Sequence, residues 1–403
     1  MELFWLEHKK LWRKKIVKIC VLLCFVYCVI FGSILSFQWF CFGSSDDYTS
    51  AFGNNFDGYT VIKDSQEYAL SFGGELTDET LQQIVSDYQQ MEADGMGEEL
   101  EKTDWQIVNS WLGTLYPELR DTSNYKTMIS YVDPDKLTGF YERRQQVLDE
   151  FLEVSGQVGA EKEFLHQIER KVEKPFRYEW VEGWSTLLGS MVADLGVVMA
   201  LFLGIVLSSL FAGEWHDNTS TLVLTTRNGW GKIALAKILT GLAFTVELFA
   251  LLAVSSVISQ LFFMGTAGWN MPIQNIKLIA VAPMNMLQAE IYEYAFVLLG
   301  AIGFAGIVMF ISAAVKNNVL TLLLSLAVVY GPMMIAEYLP YEMQKALDLI
   351  PLVGSSTDIF RTNTFRIFGK LIWSPYLLII IPVLIGILCM PFAIKSWSRR
   401  MKA

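Results

Sequence analysis

The sequence predicts an integral membrane protein, mainly α-helical. It has six transmembrane helices and a large, mostly helical extracytoplasmic domain (an α+β build is also open) between helices 1 and 2. Three observations predict this. Of 403 residues, 53% are apolar and 18% charged, against about 25% charged in an average globular domain. The charge is unevenly spread: residues 43–180 hold 28 Asp/Glu and 12 Lys/Arg, while the rest of the chain is net basic. Six apolar runs, 16–42, 186–212, 233–264, 291–315, 318–339 and 372–394, reach the roughly 20 residues that a helix needs to cross a bilayer. The overall charge of −10 therefore describes one water-compatible block, and nucleic acid is not an expected partner.

Residues 1–15 read as an interfacial amphipathic helix. Phe4, Trp5, Leu11 and Trp12 fall on one face, with Lys9, Lys10, Arg13 and Lys14 largely on the other; such a helix lies at the acyl boundary with its cations among headgroups. The following run, 16–42, is longer than the 7–15 apolar residues of a cleaved signal and no A-x-A-like site ends it, so it reads as an uncleaved anchor. Cys20, Cys24 and Cys28 lie one turn apart in it. With no His or carboxylate beside them they read as buried apolar thiols, and no metal site is expected.

The domain at 43–180 has no cysteine of its own and must stand on an apolar core. A short hairpin is expected over Tyr59–Phe72, ending at Gly73-Gly74. Thr77 is placed to cap a helix reaching Met91, Asp104 one reaching Tyr116, and Pro134 opens another along Leu137, Phe140, Leu148 and Leu152. A charged helix over 158–173 leads back to the membrane. The domain has neither G-x-S-x-G nor H-E-x-x-H, and His166 is its one histidine; nothing in it points to catalysis.

In the second span a small residue returns every four positions: Gly196, Ala200, Gly204, Ser208. That stripe lets another helix approach closely, within the chain or across a dimer. Asp194 and Glu247 are ionisable residues inside spans; each must face protein, water or a partner, and each is a candidate for a translocation path. The segment 340–371 is too apolar for a solvated loop and reads as one or two short helices at the outer interface, or dipping into the membrane. Counting basic residues in the short connections puts 14 on the side of the N-terminus and five on the other. By that rule both termini, including the tail 395–403, are cytoplasmic and 43–180 is extracytoplasmic.

The connection 213–232 carries the most specific signal. Glu214, Asn218-Thr219, Leu222, Leu224, Arg227, Lys232 and Lys237 form a polar turn, an apolar stretch too short to span, a basic turn and a new helix. Asn218 or Thr219 is placed to cap the short segment. Here the chain resembles the permease subunits of type-2 ABC exporters, including those of bacterial peptide-antibiotic export and immunity systems. The pattern of that family is a Glu after the second span, Gly-Thr or Asn-Thr four and five residues on, a Leu-rich segment, a basic turn, and a Lys opening the third span. The proline common in the turn is missing, and Arg227 stands near its place.

The resemblance covers about 27 residues at the motif and extends through the six-span layout. It implies a cytoplasmic coupling loop that docks on an ABC ATPase, with Glu214, Asn218, Thr219, Arg227, Lys232 and Lys237 as coupling residues. It also implies a second permease half, identical or not. No G-x-x-x-x-G-K-[ST] loop occurs, so ATP and Mg belong to the partner ATPase and this chain is expected to have no enzyme site or cofactor of its own. The expected setting is the bacterial cell membrane. The competing reading is a membrane-anchored receptor or docking protein, or a force-transmitting permease, whose outer domain binds a ligand without translocating it.

Overall fold

The computed structural model describes residues 2–41, 62–63, 66–67, 69, 73–96, 105–121, 126–188, 192–216, 231–354 and 363–399. Five stretches are long and apolar enough to cross a membrane: Asp194–Trp215, Lys232–Met264, Met286–Ala314, Asn318–Tyr338 and Ser374–Ser398. Helices of this length with so few charges have only a bilayer in which to satisfy both backbone and side chains. The chain is a multi-pass membrane protein.

The N-terminal region forms α1 (Glu2–Arg13) and α2 (Lys15–Cys41), hinged at Lys14. Among the described residues of the polar domain are a two-residue strand β1 (Gly74–Glu75) and helices α3 (Asp78–Met91), α4 (Trp105–Leu115), α5 (Phe140–Val154) and α6 (Ala160–Glu169). β2 (Arg177–Tyr178) and α7 (Glu182–Thr186) lead to the bundle helices α8 (Val192–Ser208), α9 (Ala212–His216), α10 (Lys232–Met264), α11 (Met286–Ala314) and α12 (Asn318–Ile335). The chain closes with α13 (Tyr341–Leu347), the hairpin β3 (Thr364–Ile367) and β4 (Lys370–Trp373), and α14 (Ser374–Arg399).

α11 and α14 form the closest pair because glycine removes the side chains between them. A Cβ at Gly303 would collide with the Pro382 carbonyl, and one at Gly306 with the backbone of Gly386. Backbones in contact maximise dispersion where lipid supplies no hydrophobic drive. The stripe on α8 does the same within the chain: Gly204 abuts Leu322 and Leu326 of α12, and Ser208 presents its carbonyl to Ser312 Oγ of α11 at 2.7 Å. Gly196 and Ala200 on the same face are buried. α12 is the least enclosed span, with 17% of its apolar window buried against 72% for the α8–α9 window; Val319, Leu323 and Met334 are left facing outward.

Thr77 caps α3 as its spacing predicts, its Oγ1 accepting from Thr80 N at 3.2 Å. α4 also matches, although Asp104 lies outside the described residues. Two expectations are corrected. The residues described within 59–72, Ile62, Lys63, Gln66, Glu67 and Ala69, are helical rather than extended; β1 pairs with distant β2, Gly74 opposite Tyr178. Pro134 opens only a single 3-10 turn, Pro134–Lys136. The helix begins later, at Phe140, where Asp78 supplies the cap from another helix by accepting from Gly139 N (2.7 Å) and Phe140 N (2.9 Å). The domain core gathers Leu81, Ile84, Trp111, Leu112, Phe140 and Phe176. Half-buried Tyr141 donates to Leu76 O and accepts from Phe176 N; burial pushes its phenol up to about 12.

The domain is bolted to the loop between α10 and α11. Fully buried Arg144 donates to Leu278 O (2.8 Å), Ala280 O (3.2 Å) and Glu169 Oε1 (2.6 Å), and Lys174 reaches the same carboxylate at 2.8 Å. Burial works to raise the Glu169 carboxyl, but Lys174 and Arg144 together hold it below the ordinary carboxylate range. Three indoles bind main-chain carbonyls of the same region: Trp111 to Asn275, Trp180 to Met264 and Trp184 to Ala267.

Among the described residues of the segment predicted as one or two short interfacial helices, α13 is followed by a turn that drives buried Leu352 against Gly300 and Pro351 against Gly303, and residues 364–371 belong to the hairpin β3–β4. Its two-residue tip, Phe368-Gly369, has positive φ at both positions (49° and 78°), the twist that suits adjacent antiparallel strands.

Candidate functional site

At the end of the bundle remote from the domain, two of the predicted coupling residues, Glu214 and Lys237, meet the N-terminal helix. α8 stops because Ser312 Oγ replaces its next intrahelical partners, accepting from Phe211 N and Ala212 N at 3.1 Å each. The chain turns there and the short α9 carries Glu214 inward. Glu214 Oε1 accepts from Lys237 Nζ of α10 at 2.8 Å and from Lys10 Nζ of α1 at 2.5 Å; Lys237 also binds Glu7 Oε2 at 2.8 Å. Lys14, at the hinge between α1 and α2, donates to Ser209 Oγ at 3.0 Å. Two carboxylates and two ammonium groups thus alternate along one joint, tying α1, α9 and α10 together.

Glu214 and Lys237 are 4% and 2% exposed, whereas Lys10 is half in solvent. Inside the joint is a void of about 20 Å³, room for one water and for no substrate. α9 is gripped on its other side as well, where Trp215 lies 6.0 Å from Trp397 of α14 and 4.3 Å beneath the ammonium of Lys316. α9 leads directly into 217–230, and α10 begins directly after that segment, so the joint holds both roots of the connection. Lys232 is exposed at the first position of α10. Asn218, Thr219 and Arg227 lie outside the described residues.

α1 lies across α10 as an amphipathic helix should, but its inward face is not the purely apolar one expected. Leu11 is buried with half-buried Phe4, Glu7, His8 and Trp12 around it, while Trp5 and Leu6 face outward. The Glu247 carboxylate faces protein, as an ionisable residue in a span must: it lies against α1, accepting from Trp12 Nε1 at 3.0 Å and lying 3.1 Å from His8 Nε2, with its side chain 42% exposed. Asp194 sits in the first turn of α8 at the domain end, hydrogen-bonded to Tyr27 of α2. Neither carboxylate is brought near the other or near the joint.

Sequence reasoning missed two buried carboxylates, Glu290 and Glu293, in the first two turns of α11. Neither oxygen of Glu290 has a hydrogen bond of good geometry; the Tyr294 hydroxyl, one turn on, is close enough to interact electrostatically. The signal was present: Gln288-Ala-Glu290-Ile-Tyr-Glu293-Tyr follows a capping pair, Asn285 and Gln288, that opens the helix before residue 291.

Fold and joint together define a multi-pass membrane protein with one internally paired charge cluster at the end opposite its polar domain. Comparison with family models, with curated proteins and with solved structures finds no match.

Proposed function

We propose that the chain is the membrane-spanning permease subunit of a type-2 ABC exporter that moves a peptide antibiotic, lipid or drug with energy from a separate ATPase. In this reading α2 is the first of six spans, both termini are cytoplasmic, residues 43–180 are extracytoplasmic, and a second permease half completes the path. The observation that carries the proposal is the joint of Glu7, Lys10, Glu214 and Lys237. It clamps both roots of the 213–232 connection to the N-terminal helix, so displacement of that connection is passed to α1 and α10 together. Buried as they are, Glu214 and Lys237 act as positioning residues, while Asn218, Thr219, Arg227 and Lys232 are the ones offered to the ATPase. A buried ion-pair network adds little net stability but discriminates sharply between arrangements, the property a two-state lever requires.

Capture of the tagged full chain from its native membrane tests this. The expected result is co-purification of an ABC ATPase with wild-type protein and its loss with R227E/K232E. A chain that emerges without an ATPase supports the receptor reading instead and sinks this one.

A further inference from the structure

The other end of the molecule holds a cleft of about 460 Å³ between residues 171–177 of the domain and residues 270–288 of the α10–α11 loop, within the range of small-ligand sites. Met264 ends one helix long enough to cross a membrane and Met286 begins the next, so the loop between them lies on the domain side of the bilayer. Exposed Trp269 in the same loop suits the level of lipid headgroups.

The cleft also opens toward lipid. Gln288 lines it and is exposed; Ile291, three residues further along the same helix and 60% exposed, continues that face downward as apolar surface. Lys171 and Arg177 stand exposed on the domain side, with Glu173 between them in sequence. At the closed end Gln274 is fully buried. Its Nε2 donates to Ala280 O (3.0 Å) and Ala282 O (2.9 Å), which fixes the amide orientation, and its Oε1 has no donor. A buried carbonyl oxygen without a donor is a standing penalty that a ligand N–H or O–H removes. The N-terminal N–H groups of α11 are already used, Gln288 N by Asn285 Oδ1, Met286 N by Met271 O and Leu287 N by Trp269 O. The anion-binding groups are therefore the two cationic side chains.

We infer that this cleft binds the headgroup of a membrane phospholipid: a phosphodiester held by Lys171 and Arg177, whose terminal hydroxyl or ammonium donates to Glu173 and Gln274. A charge-assisted grip on phosphate suits the guanidinium and ammonium pair. The acceptors select a headgroup with donors, phosphatidylglycerol or phosphatidylethanolamine, over phosphatidylcholine, which has none. The acyl chains run down the α11 face below Gln288. This site is independent of the transport reading.

The test is native mass spectrometry of the full chain released from vesicles of equal parts phosphatidylglycerol and phosphatidylcholine. Wild-type protein is expected to retain phosphatidylglycerol selectively, and K171E/R177E to lose about a hundredfold in retention, the least that two charge-assisted bonds contribute. R177Q, a neutral change at an exposed position, is expected to lose severalfold, and K136E, elsewhere on the domain, to lose nothing. Equal retention by wild type, K171E/R177E and R177Q overturns the proposal. So does full displacement by glycerophosphoglycerol, the headgroup without its chains, which would assign the cleft to a soluble phosphoester.

Discussion

The two ends of the bundle are joined by different chemistry. At the domain end, Arg144 and three indoles bind main-chain carbonyls. A carbonyl has no rotamers, so these contacts hold one arrangement. At the opposite end, Glu214, Lys10, Lys237 and Glu7 bind one another through their side chains, and each long side chain can exchange partners as the helices shift. The first end is a bolt and the second a joint. A protein that moves one end of its bundle relative to a fixed platform needs that division.

The sharpest way to break the contrast is at the bolt. Arg144→Ala leaves Glu169 with Lys174 alone, strips Leu278 O of its Arg144 donor and leaves Ala280 O with Gln274; the expected loss is about 3–5 kcal/mol, read as a lowered thermal midpoint in detergent and as protease cleavage near the domain–loop contact. At the joint, Glu214→Gln keeps the acceptor and leaves Lys237 its bond to Glu7. The expected loss is smaller, about 2 kcal/mol. Replacing both residues, E214L/K237M, is expected to recover much of it, because a buried pair exchanged for apolar side chains loses desolvation as well as attraction. A double variant as unstable as the sum of the singles would make the joint a second bolt.

Acid probes the bolt. The Glu169 carboxyl titrates below its ordinary value of 4.5 in the folded protein, so its contribution is complete above that value and is lost as pH falls through the lower folded one. Domain docking, followed by protease protection, is expected to hold at neutral pH and to loosen only below about pH 4.5. The smallest effect belongs to Trp12→Phe. It removes one hydrogen bond to half-exposed Glu247, and an expected loss of about 0.5–1 kcal/mol would appear as increased labelling of α1.

Five apolar helices were legible because bilayer thickness imposes a length on apolar runs, and the Thr77 cap because its partner is three residues away. Glu214 and Lys237 were legible by type and spacing, but their mutual bond was not: it closes across 23 positions, and the Lys10 partner lies 204 away. The same distance hid the role of Glu247, since His8 and Trp12 approach it from a helix whose tilt no periodicity records. The β3–β4 hairpin had a local signal in Phe365-Arg-Ile-Phe-Gly-Lys-Leu-Ile-Trp373, alternation around a Phe-Gly pair. Its apolar composition was read as interfacial helix instead. The Arg144 bolt had no signal, because its partners are backbone atoms 134 and 136 residues away.

Under the proposed function, the joint moves during coupled ATP hydrolysis. Cysteines in place of Lys10 and Glu214, oxidised to a disulfide in vesicles containing the chain and the ATPase that the proposal assigns to it, test this most directly. Locked vesicles are predicted to lose coupled ATP hydrolysis and to regain it on reduction. Undiminished coupled hydrolysis with the disulfide fully formed would contradict the claim.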